Sequence, residues 1–148
     1  MKNAGFTLVE LLAIIVVLGI IATLATFNVV KMIDNTKKEQ FIADAKEMIS
    51  KAKYKKGLEK YQDLFTLSGD CKTITAKNSG FNKKNDPDNN FYDLDNSYVK
   101  VCLEAKEEVY YVLTSSISNN DKATRRVLNE NNALGFVKEK DLSAEFVK

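Results

Sequence analysis

Histidine and tryptophan are both missing from this chain of 148 residues. Without histidine, the chain lacks the side chain that most often shuttles protons near neutral pH and most often ligates transition metals. No glycine-rich phosphate loop or paired-carboxylate motif stands in its place. A nucleophile and base cannot be assembled, and the chain reads as a non-enzyme. An excess of either charge is also missing, with 22 basic against 20 acidic residues and a formal net charge of +2. So even a balance gives no field that would make nucleic acid the main partner. Proline occurs once, at Pro87, and cysteine twice, at Cys71 and Cys102. Both cysteines follow the hydrophobic segment, on the side that export would place in an oxidising compartment. One disulfide there would add ~3 to 4 kcal/mol by chain entropy. The competing reading is two buried thiols acting as small hydrophobes. The length fits a single globular core plus whatever the hydrophobic start requires.

Residues 11–30, LLAIIVVLGIIATLATFNVV, carry no charge. About 20 residues at ~1.5 Å each reach ~30 Å, the thickness of a bilayer's hydrocarbon core. A secretory signal peptide would explain Lys2 and the small residues Thr23-Leu24-Ala25, and a plain single-pass anchor would explain the length. Neither explains Glu10, which stands inside the apolar stretch counted from Phe6, where a carboxylate costs ~3 kcal/mol or more. Flanking charge does not set the orientation, because Lys31, Lys37 and Lys38 outnumber Lys2.

The octapeptide Gly5-Phe6-Thr7-Leu8-Val9-Glu10-Leu11-Leu12 resembles the processing signature of type IV pilins and of the pseudopilins of type II secretion. The resemblance implies cleavage between Gly5 and Phe6 by a prepilin peptidase, methylation of the new amino terminus on Phe6, and a leader of residues 1–5. It implies an assembly role for Glu10: in a staggered filament the amine of one subunit's Phe6 would approach Glu10 of a neighbour, so the two charges compensate only in the right register. Gly19 falls where many pilins have a helix glycine. It is either a soft point, at ~1 kcal/mol of helix propensity relative to alanine, or a close-packing position.

Beyond residue 30, Phe41, Ala45, Met48 and Ala52 recur at helical spacing, with Ile42 and Ile49 widening the stripe and Lys37, Lys38, Glu39, Asp44, Lys46 and Glu47 on other faces. The pattern predicts one helix of ~75 Å ending near Gly57, a position suited to a left-handed cap. Its first half, residues 6–30, needs lipid or other copies of itself to bury it. Its second half lays a stripe on a head that spans residues 31–148. The fold class expected is α+β, a long N-terminal helix on a small antiparallel sheet, pilin-like. Lys51, Lys53, Lys55, Lys56 and Lys60, with Tyr54 and Tyr61 interleaved, form the nearest thing to a nucleic-acid patch, and a solvated helix end explains them more simply.

Residues 64–96 read as mostly irregular, with one short strand at 73–76. Asp86, Asp88, Asn90, Asp93 and Asp95 are a weak candidate set for an irregular calcium site of the kind some pseudopilins carry. Phe91 and Ser97 break the EF-hand pattern, and turn-forming side chains are the commoner reading. Alternation at 98–103 and 109–113 predicts a β-hairpin with residues 104–108 between its strands. A third strand is expected at 134–137, and Arg125, Arg126, Val127 and Leu128 are left as strand or short helix. The placement of Cys71 and Cys102 departs from the Gram-negative pattern of a disulfide tying down the carboxy-terminal region.

The resemblance then implies a subunit held in the bacterial cytoplasmic membrane, cleaved, methylated, and drawn by an assembly ATPase and platform protein into a cell-surface filament. Its main partner is itself. Major pilin, minor pilin, secretion pseudopilin and DNA-uptake pilin share this amino-terminal logic, and roles in adhesion or secretion follow from which one it is. Glu10 favours an ordinary subunit, since some tip-initiating pseudopilins lack the acid. The reading from another class is a membrane-anchored extracellular binding module, with the helix as a tether.

Overall fold

A computed structural model describes residues 7–117, 123–127 and 135–148. Helix α1 (Leu8–Gly57) contributes to both of two compact units, Met1–Thr36 and Lys37–Lys148. Between residues 11 and 30 α1 carries no charge. Leu11, Ile15, Leu18, Ile21 and Leu24, on successive turns, are each more than half exposed. This stretch is long and apolar enough to cross a membrane, and none of it is buried within the chain. A helix with no polar face must find its apolar solvent elsewhere.

In the second unit the predicted stripe is buried: Phe41, Ala45, Met48, Ile49 and Ala52 are almost wholly enclosed, together with Ile42. They share one core with Ile74, Val99, Val112 and Val137, which come from strands β2 (Cys71–Thr75), β4 (Tyr98–Glu104), β5 (Glu107–Leu113) and β8 (Val137–Lys138). With β1 (Thr66–Ser68) these form a sheet in the order β1-β2-β4-β5-β8, antiparallel throughout. The fold is therefore α+β, a long N-terminal helix packed on a small antiparallel sheet. A three-stranded sheet, β3-β6-β7, adds β3 (Phe91–Tyr92), β6 (Ser115–Ile117) and β7 (Ala123–Arg126).

Several local expectations need correction. Gly57 ends α1 without a left-handed cap; the left-handed glycines among the described residues are Gly69 and Gly80, at φ 61° and 90°. The helix instead hands over through extended Leu58 to a 3-10 turn, Glu59–Leu64. The stretch 64–96 carries more regular structure than the one short strand expected there. It holds β1, β2, β3 and a one-turn helix α2 (Ala76–Ser79), and β2 lies inside the five-stranded sheet. The strand expected at 73–76 runs Cys71–Thr75, because the Thr75 hydroxyl accepts the Asn78 N–H at 3.1 Å and so caps α2, which starts at Ala76.

The hairpin's loop is shorter than residues 104–108. Glu104 pairs with Glu107, leaving Ala105 and Lys106 as a two-residue turn with both φ positive, at 48° and 72°. Such turns match the right-handed twist of the strands even though neither residue is glycine. Leu103 is 62% exposed at the end of the hairpin. The third strand is β8 (Val137–Lys138), pairing Val112 with Val137 and Tyr111 with Lys138; residues 131–134 lie outside the described residues. Arg125 and Arg126 are in a strand, and Val127 bridges to Val147. Leu128 lies outside the described residues.

Candidate functional site

The amino-terminal end of α1 is built by two side chains. Thr7 precedes the helix, and its hydroxyl accepts the Glu10 N–H at 3.3 Å. The Glu10 carboxylate turns back to accept the Thr7 N–H at 2.8 Å and the Thr7 O–H at 2.9 Å. This reciprocal arrangement is a capping box, satisfying donors that a helix start otherwise leaves unpaired. It also sets an anionic group at the positive end of the helix dipole. Glu10 is therefore less exceptional in an apolar segment than its charge suggests, since the chain supplies two donors to it. Both donors fall on one oxygen, Oε2. Gly5 and Phe6, the expected processing junction, lie outside the described residues.

Gly19 sits in unbroken helix, and a Cβ there would meet nothing within 4 Å. Among the described residues no contact demands a glycine there. One and two turns on, the Thr23 and Thr26 hydroxyls donate to the carbonyls of Gly19 and Ala22, each at 2.8 Å. Their polar atoms are thus satisfied inside an apolar segment.

Cys71 and Cys102 form a disulfide between directly opposed positions of β2 and β4. The five calcium candidates are not gathered round a common point. Buried Asp86 accepts the backbone N–H groups of Asp88 and Asn90 at 2.9 and 2.8 Å, and its other oxygen accepts the Ser116 hydroxyl at 2.5 Å. Asp88 pairs with Lys37 at 2.8 Å, Asp93 takes the Asn96 N–H at 3.1 Å, and Asp95 pairs with Lys77 at 3.0 Å. Among the described residues, no three His, Cys, Asp or Glu side chains come together as a metal set. Asp86 and Asp93 shape turns here.

The lysine and tyrosine patch is largely matched by partners of its own. Lys53 pairs with Glu139 at 2.7 Å and lies over the Tyr110 ring at 4.6 Å, and Lys56 pairs with Glu108. Lys55 and Lys60 stack on Tyr61 at 3.9 and 5.0 Å. The Lys56 hydrogen bond, with that of Tyr110, holds the Glu108 carboxyl below its ordinary range. Burial, reinforced by the Glu108 hydrogen bond, pushes the Tyr110 phenol well above its usual value.

A polar cluster on α1 escaped the sequence reading. Asp44, expected on a face other than the apolar stripe, is 2% exposed. It accepts the Tyr92 hydroxyl at 2.7 Å and contacts Lys83, while Glu47 reaches the same ammonium at 3.2 Å. The Asp44 carboxylate beside it raises Lys83 above the ordinary lysine range. The signal was available: position 44 is three residues after Phe41 and four before Met48, on the apolar stripe itself.

Residues 1–26 match the family model described as the prokaryotic N-terminal methylation motif, the prepilin-type signature of type IV pilins and pseudopilins. No curated protein and no solved structure matches the chain. The motif points to a family of structural subunits and to processing by a prepilin peptidase, and with the apolar helix it fits a membrane-anchored precursor.

Proposed function

We propose that this chain is the structural subunit of a type IV pilus or pilus-like filament. It is cut between Gly5 and Phe6, methylated on Phe6, held in the membrane by residues 6–30, and then polymerised through that same segment. The observation that carries this is the juxtaposition at the start of α1. A carboxylate organised by Thr7 opens a helix whose next turns are apolar on every side and unburied within the chain. A plain anchor needs the apolar surface and has no use for the acid beyond capping its own helix. A polymer needs both, because hydrophobic contact lacks direction and a charge pair adds register.

Heterologous contacts between copies generate an open helix when the rotation does not close. The head, residues 31–148, would then line the filament's outside, and its partners before assembly would be the peptidase, an assembly ATPase and a platform protein. The same chemistry serves a secretion pseudopilus or a DNA-uptake filament.

Replacing Glu10 with Gln or Leu tests the assignment. The chain should still accumulate in the membrane, while filaments sheared from cells become scarce. Normal filament yield from both variants would exclude a role for the acid. Monomers at every stage, with the amino terminus uncut, would favour the membrane-anchored binding module.

A further inference from the structure

The buried cluster around Asp44 lies apart from the amino-terminal helix start and has a chemistry of its own. Asp44 stands among rings: Phe41, one turn earlier on α1, stacks on Tyr92 with centroids 5.5 Å apart, and Phe81 meets Tyr92 edge-on at 5.4 Å. One carboxylate oxygen, Oδ2, accepts the Tyr92 hydroxyl, and the other, Oδ1, faces Lys83 Nζ. Glu47, one turn further along α1, sets Oε2 3.2 Å from that nitrogen.

An amine, a desolvated carboxyl, a polarising hydroxyl and a second carboxylate are the components of an amide-forming site. We propose that Lys83 and Asp44 condense into an intramolecular amide, with Glu47 as the proton carrier. The ion pair is the resting reactant. Within the contact pair a proton passes from Nζ to Oδ1, leaving a neutral amine against a carboxylic acid.

Nζ then attacks Cγ. The Tyr92 hydroxyl, already on Oδ2, stabilises the negative charge that gathers on that oxygen in the tetrahedral intermediate. Glu47 takes a proton from nitrogen and returns it to Oδ1. The Cγ–Oδ1 bond breaks, Oδ1 leaves as water with two of the three ammonium protons, and the third stays on the amide nitrogen. Nothing is oxidised or reduced. The side chain of Lys83 is 43% exposed, which gives the water a way out.

Holding the two groups together replaces an encounter in solution, which is how an unactivated carboxyl can react at all. The bond would join α1 to the segment after α2 across a sequence separation of 39 residues. It would remain after the Cys71–Cys102 disulfide is reduced.

The bond is internal to one chain, so its test needs no filaments and is independent of the proposed function. The full chain, extracted in detergent and reduced, is weighed intact and then fragmented after proteolysis. The expected mass is one water below that calculated for its amino terminus, with the peptides containing Asp44 and Lys83 recovered as one branched species. Lys83→Arg keeps the ion pair but has no amine to acylate, and should have the full mass. Glu47→Gln should fold, by near-ultraviolet circular dichroism, and show most of the water restored. Wild-type protein at full mass would overturn the proposal by itself, as would a water loss that persists in Lys83→Arg.

Discussion

Truncating Phe41 to Ala separates the two halves of α1 energetically. Phe41 is fully buried, stacks on Tyr92, and belongs to the core that α1 shares with the sheet. Removing a ring from such a site costs ~3 to 5 kcal/mol through lost transfer energy and the cavity left behind. That is a large part of the ~5 to 15 kcal/mol that holds an ordinary domain folded. With a urea dependence of ~1.5 kcal/mol per molar, typical for a small domain, a loss of ~4 kcal/mol lowers the midpoint by ~2.5 M.

The transition is followed on the full chain in detergent by the near-ultraviolet dichroism of the tyrosines, since there is no tryptophan. Leu18→Ala is the matched control. Leu18 is 58% exposed within the chain, so the same transition should move by less than ~0.5 kcal/mol. Equal shifts from the two variants, or no shift from Phe41→Ala, would refute the division of α1 into a segment that builds the head's core and one that has no core within the chain.

Thr7→Val keeps the shape but removes the hydroxyl that completes the capping box. The start of α1 should weaken by ~1 kcal/mol, seen as faster amide exchange over its first turns, and Thr7→Ser should restore protection. Replacing Ala105-Lys106 by Asn-Gly suits the left-handed turn at 48° and 72° and should stabilise the head by ~1 to 2 kcal/mol in urea unfolding; a loss would contradict the turn geometry. Tyr110 has a raised phenol in the folded chain, so its contribution is present below the unfolded tyrosine value of 10.0 and fades as pH rises above it. Stability measured from pH 9 upward should therefore fall more steeply in wild type than in Tyr110→Phe, a trend judged over roughly one to two pH units.

The architecture was legible where periodicity was strong. An uncharged run at the start, a helical stripe from Phe41 to Ala52 and an alternating hairpin name the long helix and the centre of the sheet. Elsewhere the pattern misled for physical reasons. The strand expected at 73–76 catches β2 only in part: Ile74 is its one fully buried residue and shares its face with Lys72, while Thr73 and Thr75 lie on the other face, so hydropathy does not mark its start at Cys71. β6 buries Ser115 and Ser116, with Ser116 hydrogen-bonded to Asp86, and no hydropathy pattern marks such a strand.

Gly57 suggested a cap that the chain does not use, because Leu58 turns the backbone by taking an extended conformation. Asp44 lies on the buried stripe and not on another face, because its spacing from Phe41 and Met48 and its Tyr92 partner keep it inside. At the amino terminus the sequence reading found Glu10 but not Thr7 as its partner, although the Thr-x-x-Glu spacing is itself the mark of a capping box.

Filaments sheared from the cell surface, dissociated and weighed, test the central claim most directly. The account predicts a subunit that begins at Phe6 and carries one methyl group on its amine. Material that still begins at Met1, or an absence of this chain from the sheared fraction while it persists in the membrane, would contradict it.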